Sequence, residues 1–368
     1  MDLDPRGAIA QRIPLIARFR PACLPLPERI QSLVELARSA ADRVDQGSAS
    51  AVFNQAALLA SDLDLPDLAN RWCHQHAAAY LHACPLPGMS AIRALEPIVN
   101  LARLHIRAGR ANDGHTHLLS LYNAVCSGTA CDFGTITVPA QLTRTEEDHN
   151  EVRAWLWRVL LADGTRALTA TGRWDEALTH VQAHRGVGSR MLDGRQVAVI
   201  AALTQRDTAQ AARLIVETAP GEPWEQQITL CLNVLRKRTD GKAKEADLED
   251  LANSYTEDGP SGHGMTVFDI RHGLTILDLI ENAENPHARR LAEDLYRRTM
   301  HALDGYAARE ITSDPLFTTA ATSPQIDSCH ALIQRCGLNT RNLNQPDHAL
   351  VSRALTSSSN VIHRSLAP

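Results

Sequence analysis

Aromatic residues are scarce: Phe, Trp and Tyr together make up 4% of the 368 residues. The 44% of hydrophobic residues must therefore pack mainly as Ala, Leu, Val and Ile, which suits apposed helices better than a β-sandwich. Lysine is nearly missing. Only Lys237, Lys242 and Lys244 stand among 37 basic residues, and the rest are arginine. With so much alanine, this bias points to a GC-rich bacterial genome; physically, arginine forks favour carboxylates and phosphates. Eight cysteines (Cys23, Cys73, Cys84, Cys126, Cys131, Cys231, Cys329 and Cys336) are too few for a disulfide scaffold of this length. No stretch approaches the roughly 18 consecutive apolar residues a membrane helix needs. The Met1-Asp2-Leu3-Asp4-Pro5-Arg6 start lacks the basic and apolar regions of a signal peptide. A cytoplasmic location with reduced thiols, and no membrane contact, is the expectation. The net charge of −5 argues against direct nucleic-acid binding, which needs a basic surface to displace counterions. Several catalytic signatures are absent as well: His-Glu-x-x-His, Gly-x-Ser-x-Gly, the dinucleotide fingerprint and Asp-Asp-x-x-Asp. No catalytic residue and no cofactor is expected.

What is present is helical periodicity. Ile30, Leu33, Val34, Ala37, Ala41 and Val44 fall on one stripe, which Gly47 is expected to end. Asp64-Leu65-Pro66 and Asn285-Pro286 each read as a helix start, with a capping side chain before a first-turn proline. Residues 1–27 read as an irregular extension with a short helix. Residues 28–304 read as a helical array, 305–340 as capping helices and 341–368 as a tail. Two insertions interrupt the array. In 127–149, Thr135–Val138 has strand character, and Thr143 with Glu146 resembles a capping box for the next helix. The second, 253–272, reads as a loop.

Internal repeats are more informative. Residues 167–178 run Ala-Leu-Thr-Ala-Thr-Gly-Arg-Trp-Asp-Glu-Ala-Leu. Gly172 permits a tight turn between helices, Trp174 can plug the junction, and Ala177 lets two backbones approach. Taking Ala177 as register mark, Ala211 follows 34 residues later, Ala246 a further 35 and Ala288 a further 42. Leu101–Gly109 and Asp67–Ala69 supply similar pieces upstream. This pattern resembles the tetratricopeptide repeat, most strongly over 155–250 and loosely over 50–303. Departures include Thr165, where a small residue is expected, His184 in place of an alanine, and 63 residues between Gly109 and Gly172.

The resemblance implies an all-α fold, an α-solenoid of antiparallel helix pairs. It also implies a concave groove lined by the first helix of each pair, where Asn54, Glu96, Arg103, Arg166, Asp193 and Gln196 are expected. A non-catalytic scaffold that reads a peptide or protein partner through this polar groove is the functional expectation. Two other classes remain: an accessory or unconventional enzyme of a peptide-modification or small-molecule pathway, and a sensor or adaptor in a regulatory system.

Three further features carry possible chemistry. The Gly-rich turn from His184 to Arg195, with Arg185, Arg190 and Arg195, could hold an anion, though it lacks the Gly-Lys-Ser/Thr of a Walker loop. Cys73, His74, His76, His82 and Cys84 form the densest patch of metal-capable side chains. On a helix they diverge, so no metal site is expected. Asp269, Arg271 and His272 could be taken for acid–base residues, but a trio this close in sequence is more often salt bridges and surface.

Overall fold

A computed structural model describes residues 2–367. The chain is all-α apart from one small hairpin. It begins with α1 (Ala8–Arg12), α2 (Leu26–Arg43), α3 (Gln46–Asp62), α4 (Pro66–Leu81), α5 (Gly88–Arg107) and α6 (Ala111–Ser127). Antiparallel strands β1 (Cys131–Phe133) and β2 (Ile136–Val138) follow, within the expected insertion. Next come α7 (Glu146–Val159), a π turn over Leu160–Gly164 and α8 (Thr165–Thr169). Then come α9 (Trp174–Ala183), α10 (Asp193–Thr204), α11 (Thr208–Val216), α12 (Pro223–Thr239), α13 (Glu245–Glu257) and α14 (Thr266–Ile280). The last are α15 (Pro286–Ala302), α16 (Gly305–Thr312), α17 (Pro315–Ala320), α18 (Ser323–Arg335) and α19 (Gln345–Leu366). Among the described residues no helix is long and apolar enough to cross a membrane.

Two compact units divide the chain. One is Leu26–Ala167 with Gly337–Pro368, the other Met1–Pro25 with Leu168–Cys336. In the 26–167 unit, successive helices pack on one another, α3 also touches α5, and α5 touches α7. These three make a row, the arrangement of stacked helix pairs. In the 168–336 unit, α10, α12, α14 and α16 form the corresponding row. Two row helices, α10 and α14, are enclosed and bury residues almost all round: α10 buries every residue from Gly194 to Leu203. Helices outside the row, such as α15, bury one stripe, here Ala288, Leu291, Ala292 and Leu295.

One local device recurs at six turns. Val44, Asp64, Gly109, Gly172, Arg206 and Leu303 all take positive φ. Five residues after each comes a buried small residue, Ala49, Ala69, Gly114, Ala177, Ala211 and Ala308, always fourth in its helix. The left-handed residue reverses the chain, and the small one lets the new helix settle on the old. Gly114 is the tightest case: a Cβ there would lie 2.8 Å from the Ala102 carbonyl oxygen.

Several expectations are corrected. Ala246 is exposed, and α13 instead buries Leu251, Ala252 and Tyr255. The first stripe ends at Val44 rather than Gly47, which lies inside α3. Asp64 is the left-handed turn residue, so Leu65 takes the cap position of α4. Thr145 with Asp148 forms the capping box of α7. Thr143 is held in a bridge with Leu86, so the chain is still extended there. The 253–272 loop shrinks to residues 258–265 because α13 and α14 extend into it. The expected tail is the longest helix, α19, which packs on α2, α3 and α4 through Val351, Leu355, Val361 and Ile362.

Candidate functional site

On α5, residues Met89, Arg93, Glu96, Asn100, Arg103 and Arg107 recur every three or four positions and so share one face. From Arg93 to Arg107 the face is polar, and every residue meets a polar group. Arg93 donates to Gln46 Oε1 at 2.6 Å, and Arg107 donates to Ser61 Oγ at 2.9 Å and Asp62 at 3.1 Å, all on α3. Between them runs a directed chain. Arg103 Nη1 donates to Asn100 Oδ1 (3.0 Å), Asn100 Nδ2 to Asn54 Oδ1 (2.9 Å), and Asn54 Nδ2 to Glu96 Oε2 (2.7 Å). A guanidinium can only donate and a carboxylate can only accept, so the two amides between them have one consistent orientation. Burial lifts the Glu96 carboxyl above its usual range, although Asn54, Arg93 and Arg103 pull the other way.

The far end of the ladder depends on the π turn. Arg103 Nε and Nη2 both reach Asp163 Oδ2, at 3.1 and 2.8 Å. A π turn adds a residue to a helical turn and re-aims the side chains within it. Asp163 and Arg103 remain partly exposed, at 18% and 48% of their side-chain surface. Asn54, Glu96 and Asn100 are half-buried, so the ladder borders solvent along its length.

Of the six expected groove residues, this site gathers Asn54, Glu96 and Arg103. Arg166 is exposed on α8 and outside the hydrogen-bond chain described above. Asp193 and Gln196 lie on α10 in the other unit. Asp193 pairs with Arg18 at 2.6 Å, and Gln196, wholly buried, bonds the backbone of Leu15 and Met191. Gln46, Arg93, Asn100 and Asp163 escaped the sequence reading. Stepping three or four residues along α5 from Glu96 and Arg103 finds Arg93 and Asn100. Nothing in the sequence marks Asp163, because the π turn breaks the helical count.

The Gly-rich turn is filled by its own chain. Arg190 pairs with Glu225, whose carboxyl it holds below the usual range. Arg195 is buried and donates to the carbonyls of Leu214 and Gly188 and to Thr218. A Cβ on Gly194 would fall 2.2 Å from the Gly186 oxygen, so the turn closes on itself. Arg185 is exposed beside it with positive φ. Asp269, Arg271 and His272 diverge: Asp269 holds Ser261, Arg271 pairs with Glu310, and His272 lies against Tyr255. His74 bonds Thr135, while His76 is stacked on Phe53 at 4.9 Å. Among the described residues, no group of three or more His, Cys, Asp or Glu side chains is arranged to hold a metal. Comparison of the chain with protein-family models, curated proteins and solved structures returns no match.

Proposed function

We propose that this chain is a non-catalytic helical-repeat scaffold of the tetratricopeptide kind that binds a peptide or protein partner along the α5 ladder. The supporting observation is the directed chain from Arg103 to Glu96, which borders solvent on a row helix. A face needed only for packing would be served by apolar residues, since hydrogen-bonded polar pairs contribute little net stability. The chain fixes the orientation of its amides in advance, which lowers the entropy cost of receiving a ligand.

The ligand chemistry follows from the arginines. A pair as exposed as Arg103–Asp163 is worth about 0–1 kcal/mol. A charge-assisted bond from a partly desolvated partner carboxylate contributes about 1.5–3 kcal/mol. An incoming carboxylate can therefore take the place of Asp163, and Arg166 is a second exposed arginine, on α8 directly after the π turn. A peptide array rich in Asp and Glu, probed with wild type and with Arg103→Glu/Arg166→Glu, tests the reading. The double variant should keep wild-type helicity and melting temperature and lose at least about tenfold in retention, one charge-assisted bond's worth. Unchanged retention, or a wild-type protein that retains no peptide, would exclude this site.

A further inference from the structure

In the 168–336 unit, residues 2–25 are seated on the row helices in the manner of a bound peptide. Apart from the single turn of α1, the stretch from Ile13 to Pro25 is without regular structure. The unit reads its backbone at several points. Trp174 Nε1 donates to Pro5 O at 3.0 Å, next to the α9 turn. Gln196 on α10 takes both sides of one residue: Leu15 N–H donates to Oε1 at 2.7 Å, and Nε2 donates to Leu15 O at 2.8 Å. Arg20 N–H donates to Gly264 O at 2.9 Å, and Cys23 N–H donates to Asp304 Oδ1 at 3.0 Å.

Side chains give the segment its register. Leu3, Ile9, Ala10, Ile13, Leu15 and Cys23 are buried. Arg12 enters an acidic pocket between Asp278 of α14 and Asp314 at the start of α17, the latter 2.5 Å away. Arg18 pairs with Asp193 at 2.6 Å, and the Arg20 guanidinium lies 4.0 Å from the centroid of the Tyr306 ring. A wholly buried glutamine that exchanges two hydrogen bonds with a single residue imitates strand pairing, and the burial of the Leu15 side chain makes that position aliphatic. Specificity comes from the Arg12 pocket three residues before it.

We infer that the row of α10, α14 and α16 is a peptide-binding site whose resident occupant is the chain's own 2–25 segment. The ligand it takes from outside is an extended peptide carrying an arginine three residues before an aliphatic position. The segment is tied to this unit by contacts alone, because the chain leaves it at Pro25 and re-enters only at Leu168. An outside peptide competes against a segment of the same chain, so access requires that the segment release locally. This inference is independent of the α5 ladder, which lies in the other unit and is expected to take carboxylates.

The probe is a labelled synthetic peptide of residues 2–25, titrated into full-length wild type and full-length Arg12→Ala. The variant should bind it at least tenfold more tightly than wild type, since its own segment holds the pocket less well. A peptide carrying Arg12→Glu should bind at least tenfold more weakly, because it meets Asp278 and Asp314 with like charge. Failure of the peptide to bind Arg12→Ala of wild-type helicity, or equal binding of the two peptides, overturns the inference. Should Arg12→Ala not fold, Arg18→Ala removes a more exposed contact and replaces it. Amide exchange on the wild-type chain supplies an independent measurement. The amides of Leu15, Arg20 and Cys23 should exchange together and faster than those of α10 and α14. Exchange of all of them at one common rate would mean that the segment leaves only when the whole unit unfolds, and would refute the site.

Discussion

Replacing glycine by alanine inside a helix ordinarily stabilises it by about 1 kcal/mol, because glycine loses more backbone freedom on folding. Gly114→Ala should do the opposite. Gly114 is the fourth residue of α6, and a Cβ there would sit 2.5 Å from Ile106 Cγ1 and 2.8 Å from the Ala102 carbonyl oxygen. The isoleucine can shift, whereas the carbonyl belongs to α5, which is packed against α3, α4, α6 and α7. Overpacking of this kind costs about 1–3 kcal/mol. Set against the propensity gain, it leaves a net loss of up to about 2 kcal/mol. For a unit of this size, each kcal/mol moves the melting temperature by roughly 2–4 °C, so thermal circular dichroism should register a drop of up to about 8 °C. Ile106→Ala in the Gly114→Ala background removes one of the two collisions and should recover part of the loss, a coupling that a double-mutant cycle measures. A melting temperature above wild type for Gly114→Ala would refute the claim that these turns are set by contact between backbones.

Val44→Gly should have the opposite sign. Val44 is a β-branched residue at φ 51° and is 47% exposed, so little packing is lost on truncation. Relief of a left-handed conformation worth about 1–2 kcal/mol, less the entropy cost of glycine, leaves a gain of about 0.5–1 kcal/mol in urea unfolding. Mild acid should weaken the protein through its buried histidines. Burial lowers His76 from 6.5 to about 3, so between these values the unfolded chain binds the proton and the folded chain does not. His76's contribution is therefore full above pH 6.5 and falls by roughly 1.4 kcal/mol per pH unit below it, about 2 kcal/mol by pH 5. The buried His272 and the half-buried His117, lowered to about 3 and about 4, steepen the fall in the same direction. His76→Leu should lower that slope by about 1.4 kcal/mol per pH unit in chemical unfolding followed from pH 7 to 5, and an unchanged slope would exclude His76 as a source of it.

The helix-pair plan was legible because two of its physical requirements leave a mark in composition and spacing. Gly172 and Ala177 register as a pair since the turn needs φ freedom and the contact needs a small side chain. The same turn at Val44, Arg206 and Leu303 is silent, because side chains that rarely adopt positive φ adopt it there. Ala246 misled because small residues can also face solvent, and only the packing of α13 reveals that Leu251 and Ala252 carry the contact. The groove positions that the tetratricopeptide resemblance implies included Asn54, Glu96 and Arg103 of the α5 ladder, but polarity alone does not say what a residue faces. Gln196 has the same pattern as Asn54 and is consumed by a segment some 180 positions away in sequence. No periodicity announces contacts of that kind. The capping of the 26–167 unit by α19 escaped for a related reason: Ser357-Ser358-Ser359 reads as a tail until α2 and α3 are seen to need a cover.

Each unit is finished by a stretch of chain from the other end of the sequence, 2–25 for one and α19 for the other. This has a consequence during synthesis. When the ribosome has made residue 167, the first helices have their neighbours, but the helix that covers α2 and α3 is about 200 residues from being made. At 5–20 residues per second that interval lasts about 10–40 s. Through it the apolar faces that α19 will cover are open to water and to other chains. Residues 2–25, made first, likewise wait for α10, α14 and α16. Newly made chains should therefore depend on holding chaperones to an extent that the stability of the finished protein does not foretell.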